Sequence, residues 1–156
     1  MSNTLSAAQL RQIHQALIEI VSAMNRPQRD EALVREAGVP LDRALFKLLV
    51  AVERLGPIGV VELADRVGLD YTTISRQMAK LDELGFVARR RNASDRRVRE
   101  AVITDQGKTM TDKIDAARLR MSRAIFDNWT EEDISHFVRL ISRFAEAFRE
   151  KPKEGT

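Results

Sequence analysis

The chain contains no cysteine. That absence removes disulfide staples, thiolate metal sites and thiol-based redox sensing from the functions open to it. Histidine is nearly absent as well: His14 and His136 each stand alone, with no His-Glu-x-x-His motif and no other residues at metal-ligand spacing. The seven glycines form no phosphate-cradling loop. A nucleophile with its base, or a zinc site, has no foundation here, so an enzyme is not expected. No stretch approaches the roughly 20 apolar residues that cross a bilayer, and the segment Met1 to Ser6 has no basic region leading into an apolar run. The expectation is a soluble, cytoplasmic protein with no membrane partner, metal or cofactor.

What the chain does have is helix signal. Its 156 residues, 44% of them hydrophobic, are the length and composition of one ordinary domain with a real core. Ser6-Ala7-Ala8-Gln9 reads as a capping box, and Leu10, Ile13, Leu17, Ile20, Val21 and Met24 then recur on one face of a helix of about five turns that stops before Pro27. Residues 29 to 37 read as a short second helix ended by Gly38 and Pro40. Asp42 caps a third, with Leu45, Leu48, Leu49, Val52 and Leu55 as its buried stripe, closed by Gly56-Pro57. Residues 60 to 66 form a short helix carrying Val61, Leu63 and Ala64, Gly68 makes a sharp turn, and Asp70 caps a longer helix with Ile74, Met78, Leu81 and Leu84 at helical spacing. Two helices joined by a Gly-containing turn are a helix-turn-helix candidate, a pattern that many helical hairpins share without binding DNA.

The next segment makes that pattern specific. Phe86 to Arg91 and Arg96 to Ile103 flank the turn cluster Asn92-Ala93-Ser94-Asp95 and are too short for helices, so a two-stranded hairpin is expected. With 26 Lys and Arg against 23 Asp and Glu, the whole chain carries a net charge of only +3. Between Phe86 and Arg99, however, six arginines (Arg89, Arg90, Arg91, Arg96, Arg97, Arg99) face one acid, Asp95, for a local charge of +5. Charges alone could serve to keep a hairpin edge from aggregating. Every one of these cations is arginine, whose planar fork suits phosphates and narrow grooves, and DNA is the better explanation.

From Thr104 the helices resume: one through residue ~128 with Met110, Ile114, Ala117, Met121 and Ile125 on a face, and another after Thr130 with Ile134, Phe137, Val138, Ile141, Phe144, Ala145 and Phe148. So wide an apolar stripe on a terminal helix, matched by the stripe on the first helix, points to a dimerization layer, the alternative being burial in a monomer's own core. Lys151 to Thr156 reads as a frayed tail.

Residues 73 to 107 resemble the signature region of the MarR (multiple antibiotic resistance regulator) family. The elements are Thr73-Ile74-Ser75-Arg76, Leu81, Gly85-Phe86-Val87, Asp95-Arg96-Arg97, and Thr104 with Gly107, in that order. Asp82 stands where the family commonly has Glu, and Asn92-Ala93-Ser94 replaces a frequent Asp-Pro-Arg, which removes one wing-tip arginine. The resemblance implies a mostly α fold with a small β-hairpin wing: a winged helix-turn-helix lobe over residues 42–103, with dimerization helices over 5–25 and 105–149 of a single domain spanning 1–156.

It also implies a sequence-specific, DNA-binding transcriptional regulator, by family default a repressor, that acts as a homodimer on a palindromic duplex operator. In the helix after Asp70, the side opposite Ile74 and Leu81 carries Thr72, Thr73, Arg76 and Lys80, with Ser75 and Gln77 at its margins. Arg76 would read a guanine and Gln77 an adenine, while Thr72, Thr73 and Lys80 hold phosphates and Ser75 touches the backbone or faces solvent. At the wing the resemblance makes Arg97 a minor-groove probe and Arg96 a phosphate contact, and Asp95, an anion, either braces Arg97 or simply shapes the turn. It further implies a small aromatic or phenolic effector, for which His14, Arg43, Phe46, Tyr71 and Met110 lie in suitable places, although a lone His or Met on a helix is more often packing. A winged helix that binds protein, or DNA without sequence preference, is the alternative reading.

Overall fold

The computed structural model describes residues 4–149, and the expected tail at Lys151 to Thr156 lies outside them. Seven helices and three short strands follow in the order α1 (Ala7–Met24), α2 (Pro27–Ala37), α3 (Arg43–Leu55), β1 (Ile58–Gly59), α4 (Val60–Val67), α5 (Tyr71–Glu83), β2 (Val87–Arg91), β3 (Arg99–Ile103), α6 (Asp105–Phe126) and α7 (Glu131–Arg149). They pack as two units, which divide between Arg118 and Leu119.

The capping chemistry that the sequence announces is in place. The Ser6 hydroxyl accepts from the Gln9 amide at 3.1 Å while Gln9 Oε1 accepts from the Ser6 amide at 3.0 Å, closing the capping box of α1. Asp42 accepts from the Leu45 amide at 2.9 Å to start α3. The expected second helix begins earlier than residue 29, because Pro27 has no amide hydrogen to leave unsatisfied and its fixed φ suits the first helical turn. The helix after Thr104, α6, ends at Phe126 rather than near 128.

In the first unit one core joins Leu45, Phe46, Leu48, Leu49 and Val52 of α3 to Leu63 of α4, Ile74, Met78 and Leu81 of α5, Val87 and Ala101 of the sheet, and Ile114 and Ala117 of α6. Phe46 is 1% exposed, with the Arg118 guanidinium 5.8 Å above its ring, and so belongs to the core. Not every apolar residue in these helical patterns is buried. Leu55 and Leu84, at helix ends, are exposed, and Val61 lies on the outer side of α4 with 70% of its surface in water.

The hairpin is one part of a three-stranded antiparallel sheet of order β1-β3-β2. β1 pairs Ile58 with Ala101 and Gly59 with Glu100, an addition the sequence did not announce because two residues are too few to carry an alternation. Thr104 locks the sheet to α6: its hydroxyl donates to the Gly85 carbonyl at 2.6 Å and accepts from the Gly107 amide at 3.0 Å. Gly107 leaves room for the Phe86 carbonyl, which a Cβ would strike.

In the second unit Thr130 and Asp133 cap α7 reciprocally, at 3.1 and 3.2 Å. Phe126, Trp129 and Phe137 stack there with ring centroids 5.0 to 6.5 Å apart. Neither α1 nor α7 contains a buried residue.

Candidate nucleic-acid interface

α5 is positioned from both ends and from beneath. At its N-terminus Asp70 Oδ1 accepts from the Thr73 amide at 2.8 Å and Oδ2 from the Thr73 hydroxyl at 2.8 Å. The backbone amide bond, then the hydroxyl bond, holds the Asp70 carboxyl below the usual carboxylate range. Ile74, Met78 and Leu81 are completely buried and fix the helix's rotation on α3 and α4. After α5, Gly85 takes φ 81°, the left-handed conformation that turns the chain into β2.

That anchoring determines which side chains face outward. Thr72, Arg76 and Lys80 are exposed, while Thr73, Ser75 and Gln77 are half-buried at the flanks. At about 100° per residue, Tyr71 and Ser75 lie on one flank and Thr73 and Gln77 on the other. The cavities follow this division. Tyr71 and Ser75 line a groove of about 860 Å³ shared with Asn92, Arg97 and Val98 of the hairpin. Thr73 and Gln77 line a cavity of about 550 Å³ shared with Arg43, Lys47 and apolar residues of α3 and α4. The Thr73 hydroxyl proton is committed to Asp70, so its lone pairs are what remain for another partner.

The wing tip is built by carboxylate and amide acceptors. Asn92 Oδ1 accepts from the amides of Ser94 at 2.7 Å and Asp95 at 2.9 Å. Asp95 Oδ1 accepts from the Arg97 amide at 3.1 Å and from Arg97 Nε at 3.2 Å, although the Arg97 side chain is 92% exposed. The carboxylate thus aims a guanidinium that stays open to solvent. Arg89 is drawn to Asp82 of α5 at 3.8 Å, tying the hairpin to the helix. Arg91 and Arg99 face each other directly across β2 and β3, and with Arg89 and Arg90 they line a depression of about 220 Å³. Like charges paired across strands cost folding energy, so this arrangement favours an anion as the outside partner.

Of the residues considered for a small effector, Arg43 and Tyr71 line different cavities. Phe46 is core, Met110 packs against the core, and His14 is exposed on α1. The sequence also gave no sign of the latch beneath Arg43: Asp30 of α2, 8% exposed, receives Arg43 Nε at 2.7 Å and Lys47 Nζ at 3.3 Å. Nor did it show the network in which Lys108 bridges Glu53 at 3.3 Å and Asp112 at 2.6 Å while Arg54 reaches Asp115 at 2.8 Å. Such pairs depend on the angles between helices, which periodicity does not encode. Among the described residues no group of His, Cys, Asp and Glu could hold a metal ion, and no helix is long and apolar enough to cross a membrane.

The MarR family model matches residues 41–98, the segment that contains the helix pair and most of the hairpin. An uncharacterized HTH-type transcriptional regulator of Bacillus subtilis, YxaD, is 32% identical over 108 residues, covering 69% of this chain and 76% of that protein. The HTH-type transcriptional repressor MdtR of the same organism is 23% identical over 149 residues, covering 96% and 94% of the two chains. Among solved structures, a MarR family protein from Bacillus stearothermophilus superposes with a TM-score of 0.73 at 18% identity over 94% of this chain and all of that one. The crystal structure of MarR gives 0.63 at 25% identity, over 88% and 98%.

Proposed function

Since the chain belongs to the MarR family and is a DNA-binding transcriptional regulator, we propose that it acts as a cytoplasmic homodimeric repressor of a palindromic operator, released by a small aromatic or phenolic ligand. The observation that carries the DNA part is the shared groove: α5 and the arginine hairpin, held together by the Asp82 and Arg89 pair, present one continuous surface. The exposed face of α5 enters the major groove, where Arg76 bonds a guanine and Gln77 an adenine, each bidentate pair supplying about 1–3 kcal/mol of discrimination. Thr72, Thr73 and Lys80 hold phosphates and Ser75 approaches the backbone. In the minor groove Arg97 probes, braced by Asp95, and Arg96 contacts phosphate.

A single recognition helix seldom gives useful specificity, and two half-sites need two subunits. Ile134, Phe137, Val138, Ile141, Phe144 and Phe148 of α7 are all exposed in the single chain, as are Leu10, Ile13, Ile20, Val21 and Met24 of α1. Apolar area on that scale marks an interface between subunits. The helices over 5–25 and 105–149 supply that interface, and residues 42–103 form the DNA-binding lobe. Repression follows the named activity of MdtR.

The cavity of about 550 Å³ supports an anionic aromatic effector. It combines the cations Arg43 and Lys47 with the apolar walls Leu48, Val67, Leu69 and Ile74, and its volume is that of a small-molecule site. Because Thr73 and Gln77 belong to the same lining, an occupant competes with DNA for the recognition helix.

Selection of bound fragments from random duplexes at about 150 mM salt, where nonspecific binding is weakened, tests the reading. Recovery of an inverted repeat with half-sites about 34–36 Å apart supports a dimeric regulator. Recovery of no preferred sequence favours the nonspecific or protein-binding alternative. Benzoate added to the selected complex should release it, and the Arg43→Ala variant should resist release.

A further inference from the structure

The major and minor grooves of a duplex are everywhere separated by one sugar-phosphate strand. A protein with α5 in the major groove and its hairpin in the adjacent minor groove must therefore let that strand pass through the gap between them. The gap is the 860 Å³ groove. Its α5 side is the flank of Tyr71 and Ser75, turned away from the Arg76 face that meets the bases.

Tyr71 is the only tyrosine in the chain and the first residue of α5. Its side chain is not part of the core, and 55% of its surface is exposed. A phenol so placed carries one strong donor on a rigid stem with two rotatable bonds, so it loses little freedom on making a contact. The charges around it argue for a neutral contact. Glu62, Asp65 and Glu100 line the groove together with Arg89, Arg97 and Arg99, so its formal charge is zero. Two of those arginines are already drawn to carboxylates, Arg89 to Asp82 and Arg97 to Asp95. Net charge does not fix where a phosphate sits in such a gap; a directed hydrogen bond does.

The geometry points to Tyr71 as a DNA contact, its hydroxyl donating to a phosphate oxygen of the strand that crosses between recognition helix and wing. This inference rests on the docking proposed above. It makes Tyr71 part of the DNA surface rather than of an effector site. A neutral donor releases no counterion, so its loss weakens binding without changing the salt dependence, in contrast to loss of a lysine or arginine.

The test is fluorescence anisotropy of Tyr71→Phe and wild type on the selected operator across a salt series, with thermal unfolding of both proteins as the folding control. The expected result is a Tyr71→Phe variant whose dimer binds about a hundredfold more weakly, roughly tenfold for each of the two hydrogen bonds to a charged group that it loses. The loss should be the same at every salt concentration and for every operator variant, with unchanged melting. A second set of duplexes, each with one symmetry-related pair of phosphates, one in each half-site, replaced by neutral methylphosphonates, should contain one member on which Tyr71→Phe and wild type bind equally. Equal affinity of the two proteins for the natural operator overturns the inference while leaving the docking intact. So does a shallower salt slope, or altered base preference in Tyr71→Phe. Failure of the wild type itself to bind any duplex overturns both the inference and the docking on which it rests.

Discussion

Replacing Asp95 separates two opposing effects at the wing tip, and their sizes determine the sign of the result. The carboxylate is an anion beside DNA, so its removal relieves repulsion. At about one Debye length, roughly 8 Å from the nearest phosphate, two unit charges in water interact by about 0.5 kcal/mol before screening and about 0.2 kcal/mol after it. Against this, Asp95 Oδ1 receives both the amide and the Nε of Arg97. Without that acceptor the guanidinium, which is almost wholly in solvent, must be ordered by the DNA alone, at about 0.5–1.5 kcal/mol for a long side chain. The second effect wins. Asp95→Ala should bind the operator more weakly by about 0.3–1.3 kcal/mol for each of the dimer's two wings, or roughly three- to eightyfold for the dimer. Asp95→Asn keeps an oxygen acceptor and drops the charge, so it should bind as tightly as wild type or slightly tighter. Both are read by anisotropy titration at about 150 mM salt, where screening sets the quoted scale. An Asp95→Ala variant that matched or exceeded wild-type affinity would refute the bracing role and leave Asp95 a simple turn residue.

Arg76→Ala should relax base preference at one position in each half-site, whereas Arg97→Ala should weaken binding to all sequences and lower the salt slope by about two, one for each subunit, both measurable by competition binding on operator variants. Phe46→Ala should destabilise the first unit by about 3–5 kcal/mol, seen as a lower urea midpoint, because the ring is closed in the α3 core; an unchanged midpoint would return Phe46 to the list of effector contacts. The Asp70 cap predicts a pH dependence of α5. Its folded pKa is held below the ordinary aspartate value by the Thr73 bonds, so its stabilising contribution is complete above that ordinary value and disappears as pH falls through the folded pKa. Asp70→Asn should flatten that acid limb in thermal melts, and a variant with the wild-type pH profile would remove Asp70 as its source.

Much of the candidate surface was legible in the sequence because it rests on local rules. Capping chemistry at Ser6, Asp42, Asp70, Thr104 and Thr130 acts over three residues, so the chain states it directly. Helical spacing marked Ile74, Met78 and Leu81 as the inward face of α5, and fixing that face places Thr72, Arg76 and Lys80 on the opposite one. The run of arginines around one turn was visible as composition. Where the sequence misled, the rule was local but burial was not: Val61 belongs to an apolar helix pattern, yet the side of α4 that carries it faces water.

Sequence alone therefore determined the order of the helices and the hairpin, the helix-turn-helix with its run of arginines, the resemblance to the MarR family and the exclusion of cysteine chemistry. Tertiary structure decided what depends on residues far apart in the chain. It added β1 to the sheet through a two-residue pairing with β3. It brought Asp30 under Arg43 and Lys47, and it placed Phe46 in the core. It also set Tyr71 across a groove from Arg97, 26 positions further along the chain. Those outcomes turn on the angles at which helices and sheet meet, and those angles are fixed by the packing of the whole core rather than by any segment's own pattern of residues.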